Sequence, residues 1–468
     1  MTTTRHPLLL AVLLLATAPV RAGGFLIYEH GAVSTGMANA RSALANDPSC
    51  LYFNPAAITE LPGIQIEAGT TLILPSIEYQ PAGTPEQPRS YTTYRDGHYL
   101  QVPVNDGENP AAAKQKLFTP IHLYASWRLE ELGLALGFGL NNPFGLGTYW
   151  PGDWDGRFIA TETEIQTFYS QPVLAIDLAH WLGLGQVLRL SLAAGYDFVY
   201  GTARLGRKID LRVAEALSLG ELQSPEGELR LTGSATGHGW NLALYAELPG
   251  LLALGASLRS GVSLPFSGTA SFTMDATARA AADLLGMTVP EKTTGRVTID
   301  MPMTINAGVA LLLVPRLRLA ADILAAFFSS YDELTISFDC AVEGSCTESL
   351  NPEPIEKNWH TSFQFALGAE YDLLEQLTLR AGWGVVTSPV PAETYDPSLP
   401  DGLRNLISLG AGYRGSFWGV DLGYLVAFWS DSKANDVGSG DSLNPEGRAN
   451  GSYRTISHQL ALSLRAWF

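Results

Sequence analysis

Cysteine is the residue type best placed for covalent chemistry in this chain, and there are three. Cys340 and Cys346, with five residues between them, lie in a loop-like stretch from Asp339 to Asn351, where an oxidising compartment would let them form a disulfide. Cys50 would then be left unpaired. A metal site is the weaker reading, because no histidine neighbours the pair and the spacing matches no familiar zinc pattern. His122, His180, His238 and His458 are scattered through strand-like segments with no nucleophile motif beside them. Each reads as a packing or interfacial residue, which argues against a hydrolase. No phosphate-binding loop offers an energy source, and no cofactor is expected.

Charge offers a second kind of chemistry. Arg189, Asp197 and Arg207 share one parity of the segment 187–207, while Leu188, Leu190, Leu192, Tyr196, Phe198 and Tyr200 share the other. Period two is the strand period, and an aromatic-rich stripe opposite a polar one is what a wall between lipid and a wet interior requires. The same pattern recurs at 417–429, where Trp418, Val420, Leu422, Tyr424, Val426 and Phe428 oppose Gly419, Asp421 and Gly423. The chain finishes on another such strand, with Ile456, Leu460, Leu462, Leu464 and Phe468 on one face and Ser457, Gln459, Ser463 and Arg465 on the other. A terminal aromatic strand of this kind suits the closing strand of an outer-membrane barrel.

Counting alternating segments between turn signals gives strands at 63–79, 117–130, 132–148, 158–179, 186–209, 228–248, 251–274, 294–313, 316–339, 358–373, 375–388, 404–414, 417–431 and 453–467, fourteen in all. Tight turns alternate with long connections, as periplasmic turns alternate with extracellular loops. The fold class expected is therefore all-β, a 14-stranded antiparallel transmembrane β-barrel. Two long connections read as helical, 211–217 and 276–287, being rich in Ala and Leu without alternation.

Composition agrees. Charged residues are 16% of the chain, against about 25% in soluble domains, and there are 47 glycines. Beyond the amino-terminal apolar run no stretch approaches the twenty or so apolar residues of a spanning helix. A net charge of −17 without a Lys/Arg cluster excludes nucleic acid as a partner. Residues 1–22 read as a removed signal peptide, with Arg5 and His6 before the apolar run Leu8 to Ala16 and Val20-Arg21-Ala22 at the cleavage point. Residues 23–62, small-residue rich and carrying Asn54-Pro55-Ala56, have the length to plug a barrel from within, leaving 63–468 for the barrel itself.

Three groups of motifs occur in order along the mature chain: Gly23-Gly24-Phe25 with Ala43 to Asp47 and Asn54-Pro55-Ala56-Ala57-Ile58-Thr59; Asn142-Pro143-Phe144-Gly145-Leu146-Gly147-Thr148-Tyr149-Trp150 continuing to Glu164-Ile165-Gln166-Thr167; and Trp359, Leu379-Arg380-Ala381-Gly382, Ser388-Pro389-Val390-Pro391, Pro400-Asp401 and Arg404. In this order they resemble the FadL-type family of outer-membrane transporters for long-chain fatty acids and other hydrophobic compounds. The resemblance implies a fourteen-stranded barrel with an N-terminal hatch, loops that gather an amphipathic substrate, an enclosed lumenal site, and sideways release into the membrane. It assigns gating to Asn54, Pro55 and Ala56, and an inward kink of the third strand to Asn142, Pro143, Phe144, Gly145 and Leu146. It places Arg207 where the family has a cation for the ligand carboxylate and His360 near a second cation position. A lumenal arginine can equally pair with a barrel acid, and histidine in place of a fixed cation weakens the case for a carboxylate. The same architecture would serve uptake of an uncharged aromatic or aliphatic hydrocarbon; a structural or adhesive barrel is the reading from another class. The expected partners are the hydrophobic substrate, outer-membrane lipid and lipopolysaccharide, and the barrel-assembly machinery, with the protein a monomer.

Overall fold

Fourteen antiparallel strands close on themselves. The computed structural model describes residues 23–81, 90–95, 98–103, 109–185, 187–211, 214, 217, 218, 222, 225–340, 346, 347, 354–430, 432–434 and 449–468; the expected signal peptide and most of the 211–217 helix lie outside them. The wall strands are β1 (Ile64–Pro81), β2 (Ile121–Leu129), β3 (Leu134–Asn141, then Gly145–Tyr149), β4 (Glu162–Asp177), β5 (Arg189–Asp210), β6 (Glu226–Leu248) and β7 (Leu252–Arg259, then Val262–Thr273). They continue as β8 (Lys292–Met301, then Thr304–Val314), β9 (Leu317–Ala326, then Ile336–Phe338), β10 (Ser362–Asp372), β11 (Leu377–Val386), β12 (Arg404–Arg414), β13 (Trp418–Trp429) and β14 (Gly451–Trp467). The seam is the pairing of β1 with β14, running in unbroken register from Gln65 opposite Trp467 to Pro81 opposite Gly451. This seam pairs the first wall strand with the last, as backbone in lipid requires.

Alternation along the strands places Leu192, Tyr196, Phe198, Tyr200, Leu460 and Leu462 on the exposed outer face, while Ser191, Asp197, Gln459 and Ser463 are buried inside. Among the described residues no helix is long and apolar enough to cross a membrane. Three strands expected to be continuous are interrupted. In β7 and β8 the break falls at one level, since Arg259 pairs with Thr304 and Val262 with Met301, leaving Ser260-Gly261 opposite Pro302-Met303. Pro302 lacks a donor, so the ladder cannot run through it. In β9 the wall strand stops at Ala326, and a short 3-10 turn at Phe328–Ser330 precedes the remainder. In the loop after β7 a helix, α1 (Ala276–Leu284), starts at Asp275, whose side chain accepts from the Ala278 amide at 2.7 Å.

Residues 23–61 lie almost wholly buried against the inward faces of the strands. The Ala32 amide donates to Ser463 Oγ on β14 at 3.0 Å, Ala38 to Ser408 Oγ on β12 at 2.9 Å, and Arg41 and Ser42 to Asp322 Oδ2 on β9 at 2.9 and 2.7 Å. A layer of buried ion pairs supports this segment. Arg380 bonds Glu370 at 2.6 Å and Asp421 at 2.8 Å, Arg318 bonds Glu370 at 2.5 Å, and Arg465 bonds Asp421 at 2.7 Å. Arg41 and Asp47 pair within the segment itself. Charges this far from water persist only because each carboxylate meets a guanidinium.

Candidate functional site

The third strand cannot hold its ladder at Asn142-Pro143-Phe144. Between the pairs Asn141 with Tyr169 and Gly145 with Gln166, three residues of β3 face two of β4, so the strand bulges. The displaced backbone bonds inward, with the Ile27 amide donating to the Pro143 carbonyl at 2.8 Å and the Gly145 amide to the Phe25 carbonyl at 2.9 Å. A side chain at Gly145 would put its Cβ 2.7 Å from the Ile27 side chain, so glycine permits this approach. Asn142 bridges both neighbours: its Oδ1 accepts from Ile121 at 2.8 Å and its Nδ2 donates to the Thr167 carbonyl at 2.7 Å.

Beyond Asn142 the wall parts. Leu123 with Leu140 is the last ladder pair of β2 and β3, and the next backbone bond upward runs from Lys114 to the Tyr149 carbonyl at 2.7 Å. Among the described residues no backbone hydrogen bond joins 115–120 to 143–148; the former pair back to β1 through Phe118 and Ile73. A cavity of about 390 Å³ occupies this opening. Leu26 and Ile27 of the inner segment line one side, while Leu117 and Ile121, 51% and 43% exposed on the outer surface, line the other. The cavity is therefore lined by the inner segment on one side and by outward-facing residues on the other.

Its polar groups come from distant parts of the chain. Arg404 projects into it with its side chain 11% exposed, donates no hydrogen bond among the described residues, and approaches Asp401 at 3.9 Å. The guanidinium lies 4.5 Å from the Trp429 ring centre and 6.0 Å from that of Tyr28. Asp401 is occupied elsewhere, accepting from the Gly24 amide at 2.9 Å, Ser388 Oγ at 3.0 Å and Trp429 Nε1 at 3.2 Å. Burial raises the carboxyls of Asp401 and Glu29 above their ordinary values, against the pull of Arg404. Lys116, at the outer side, is engaged by Glu164 at 2.8 Å and by Tyr149.

Asn54, Pro55 and Ala56 lie at the opposite end of the inner segment. Asn54 is fully buried, and its Nδ2 donates to the Ser42 carbonyl at 2.8 Å and to the Leu244 carbonyl of β6 at 3.0 Å, while its Oδ1 caps the 3-10 turn Pro55–Glu60 by accepting from Ala56. One side chain thus ties segment, wall and turn together. Arg207 is half-buried on the inward parity of β5 with no ion pair among the described residues. It does not line the cavity, and neither does His360, which is exposed while its neighbour Trp359 is buried. The structure thus separates these two residues from the wall opening, where Arg404 stands instead. The pattern of charges in sequence missed Arg404 as a lumenal group; its position after Pro400-Asp401 was the available signal. Cys340 and Cys346 are joined by a disulfide with a Cα–Cα distance of 4.8 Å, and Cys50 is buried and free.

Residues 13–468 match the model of the family described as outer membrane protein transport protein (OMPP1/FadL/TodX). The chain belongs to this family. It is 23% identical over 465 residues to the long-chain fatty acid transport protein of Escherichia coli K12, covering 92% of this chain and 94% of that one. Its fold is similar to the crystal structure of a Pseudomonas aeruginosa FadL homologue, with TM-score 0.77 and 20% identity over 95% of this chain and all of that one. It is also similar to the toluene transporter TbuX of Ralstonia pickettii, with TM-score 0.65 and 16% identity over 94% of this chain and 98% of that one. The protein is an outer-membrane transporter of hydrophobic compounds and not an enzyme.

Proposed function

We propose that this protein carries long-chain fatty acids or similar hydrophobic compounds passively across the outer membrane and releases them sideways through the opening beside the kinked third strand. The observation that carries the proposal is the cavity between β2 and β3, which has interior residues on one wall and lipid-facing residues on the other. The saccharide layer outside repels apolar solutes, and a water-filled pore gives them no favourable surface. A succession of apolar pockets lowers that barrier, provided none binds too tightly for release. Substrate is gathered at the loops after β5 and β7, held in the lumen near Arg207, and passed on when residues 23–62 rearrange as a hatch pivoting about Asn54, Pro55 and Ala56. The working unit is a monomer among lipopolysaccharide, inserted by the barrel-assembly machinery.

Uptake of uncharged hydrocarbon is the second reading, favoured by a histidine, His360, rather than a permanently charged residue where the resemblance has a second cation. Uptake of labelled oleate and labelled toluene, by cells lacking their own transporter and given this protein or Arg207→Ala, separates the readings. Oleate uptake that falls with Arg207→Ala supports the fatty-acid reading, and toluene uptake indifferent to it supports the hydrocarbon reading. Uptake of neither compound removes both and leaves a structural or adhesive barrel.

A further inference from the structure

We propose that Arg404 is a second carboxylate-reading station, placed at the exit cavity and separate from Arg207. The inference rests on the lateral-release reading and names the ligand chemistry at its last step.

A guanidinium carries five donors and keeps its charge at any physiological pH. Burying one without hydrogen bonds is costly, so such groups normally sit in dense networks, as Arg380 does with Glu370 and Asp421. Arg404 is different. It is nearly buried, Nε has no partner, no donor of the group makes a hydrogen bond among the described residues, and the nearest carboxylate stands at 3.9 Å. Asp401 cannot close that distance without giving up Gly24, Ser388 or Trp429. Glu29, the other acid lining the cavity, is a neighbour whose burial works against its charge.

The Trp429 ring under the guanidinium holds it without consuming a donor. The donors therefore face a cavity whose remaining walls are largely apolar, including Leu26, Ile77, Phe118 and Leu146. A cavity that offers a fixed cation with free donors beside an apolar trough fits an amphipathic molecule with an oxygen-bearing anionic head, and a fatty carboxylate is the simplest case. A hydrocarbon of equal length would fill the trough and leave the guanidinium unpaired, and an ester would offer it only a neutral carbonyl acceptor in place of a charge-assisted bond.

The test uses the full-length protein in lipid nanodiscs and two fluorescent probes, parinaric acid and its methyl ester, with wild type, Arg404→Gln and Arg404→Lys. The expected result is a loss of acid affinity in Arg404→Gln of about tenfold to a hundredfold, the range for one charge-assisted hydrogen bond. Ester affinity should stay within about twofold of wild type, and Arg404→Lys should recover part of the loss. Equal losses for acid and ester, or no loss for either, would overturn the assignment. Should Arg404→Gln fail to assemble, Arg404→Lys carries the comparison, because it keeps the charge but not the planar fork and must still discriminate acid from ester. Oleate uptake by cells is scored separately. Head-group discrimination without uptake would leave the site standing and sink the lateral-release reading.

Discussion

Replacing Asn54 by alanine removes three hydrogen bonds and leaves their partners inside the protein. The Ser42 and Leu244 carbonyls lose a donor, and the Ala56 amide loses its acceptor. Each buried bond contributes about 1 kcal/mol net and the cap a similar amount, and partial replacement by water lowers the sum, so residues 40–60 should be loosened by about 2–4 kcal/mol. The barrel ladder itself is untouched, so the effect is local opening. Hydrogen exchange of backbone amides, followed by mass spectrometry in detergent or nanodiscs, reads it directly. Protection within 40–60 should fall by a factor of about 30 to 1000, while peptides from β10 to β14 keep wild-type protection. Unchanged exchange at 40–60 in a folded, heat-modifiable barrel would refute the view that this side chain pins the segment to the wall. A uniform loss across the barrel strands would refute the claim that the segment opens on its own.

Other perturbations follow from the same contacts. Gly145→Val drives a branched side chain into Ile27 and should cut uptake of whichever substrate is carried, with the barrel still heat-modifiable; normal uptake would discard the exit route beside β3. Arg380→Met removes the guanidinium shared by Glu370 and Asp421, whose remaining ion-pair partners are Arg318 and Arg465, and should lower stability by about 3–5 kcal/mol, measured as an earlier unfolding midpoint in urea. Burial pushes the His30 imidazole down to about 3, from about 6.5 in an unfolded chain, with Arg259 and His122 as the cationic and titratable neighbours that oppose its protonation. Because the folded value is depressed, its stabilising contribution is complete above pH 6.5 and is lost as pH falls toward 3. Exchange at residues 27–35 should therefore accelerate on acidification beyond the intrinsic rate change, and His30→Gln should abolish that excess.

The barrel was legible because lipid on one side and a packed interior on the other impose one chemical rule on every second residue. Leu188 to Tyr200 and Ile456 to Phe468 obey it, and the strand count follows from repeating the exercise. The breaks in β7, β8 and β9 were not legible, since Ser260-Gly261 and Pro302 resemble turn residues that a strand edge tolerates, and only the shared register shows that they oppose each other. The interruption of β3 is expected from the resemblance alone, since Pro143 and Gly145 by their own chemistry fit a strand that simply ends at Asn141 equally well. The cavity between β2 and β3 was not legible, because Leu26, Phe118, Leu146 and Arg404 belong to four stretches brought together by closure. His360 comes from the resemblance and not from strand parity; Asn358 just before it has φ 48°, a left-handed turn of the backbone, and Trp359 is the buried neighbour while His360 is exposed.

The contacts of residues 23–61 carry a consequence for how the molecule comes into being. This segment leaves the ribosome before the strands do, yet its anchors are Asp322, Ser408 and Ser463, all made well after it. Nor can those anchors stand in a ring before β1 has met β14. Early in biogenesis the segment therefore has no home, and its apolar side chains, Val33, Met37, Leu51 and Ile58 among them, must be shielded while some 400 residues follow. The order of synthesis and the order in which the anchors become available run opposite to each other, and the seam that closes the barrel also completes the seat of residues 23–61.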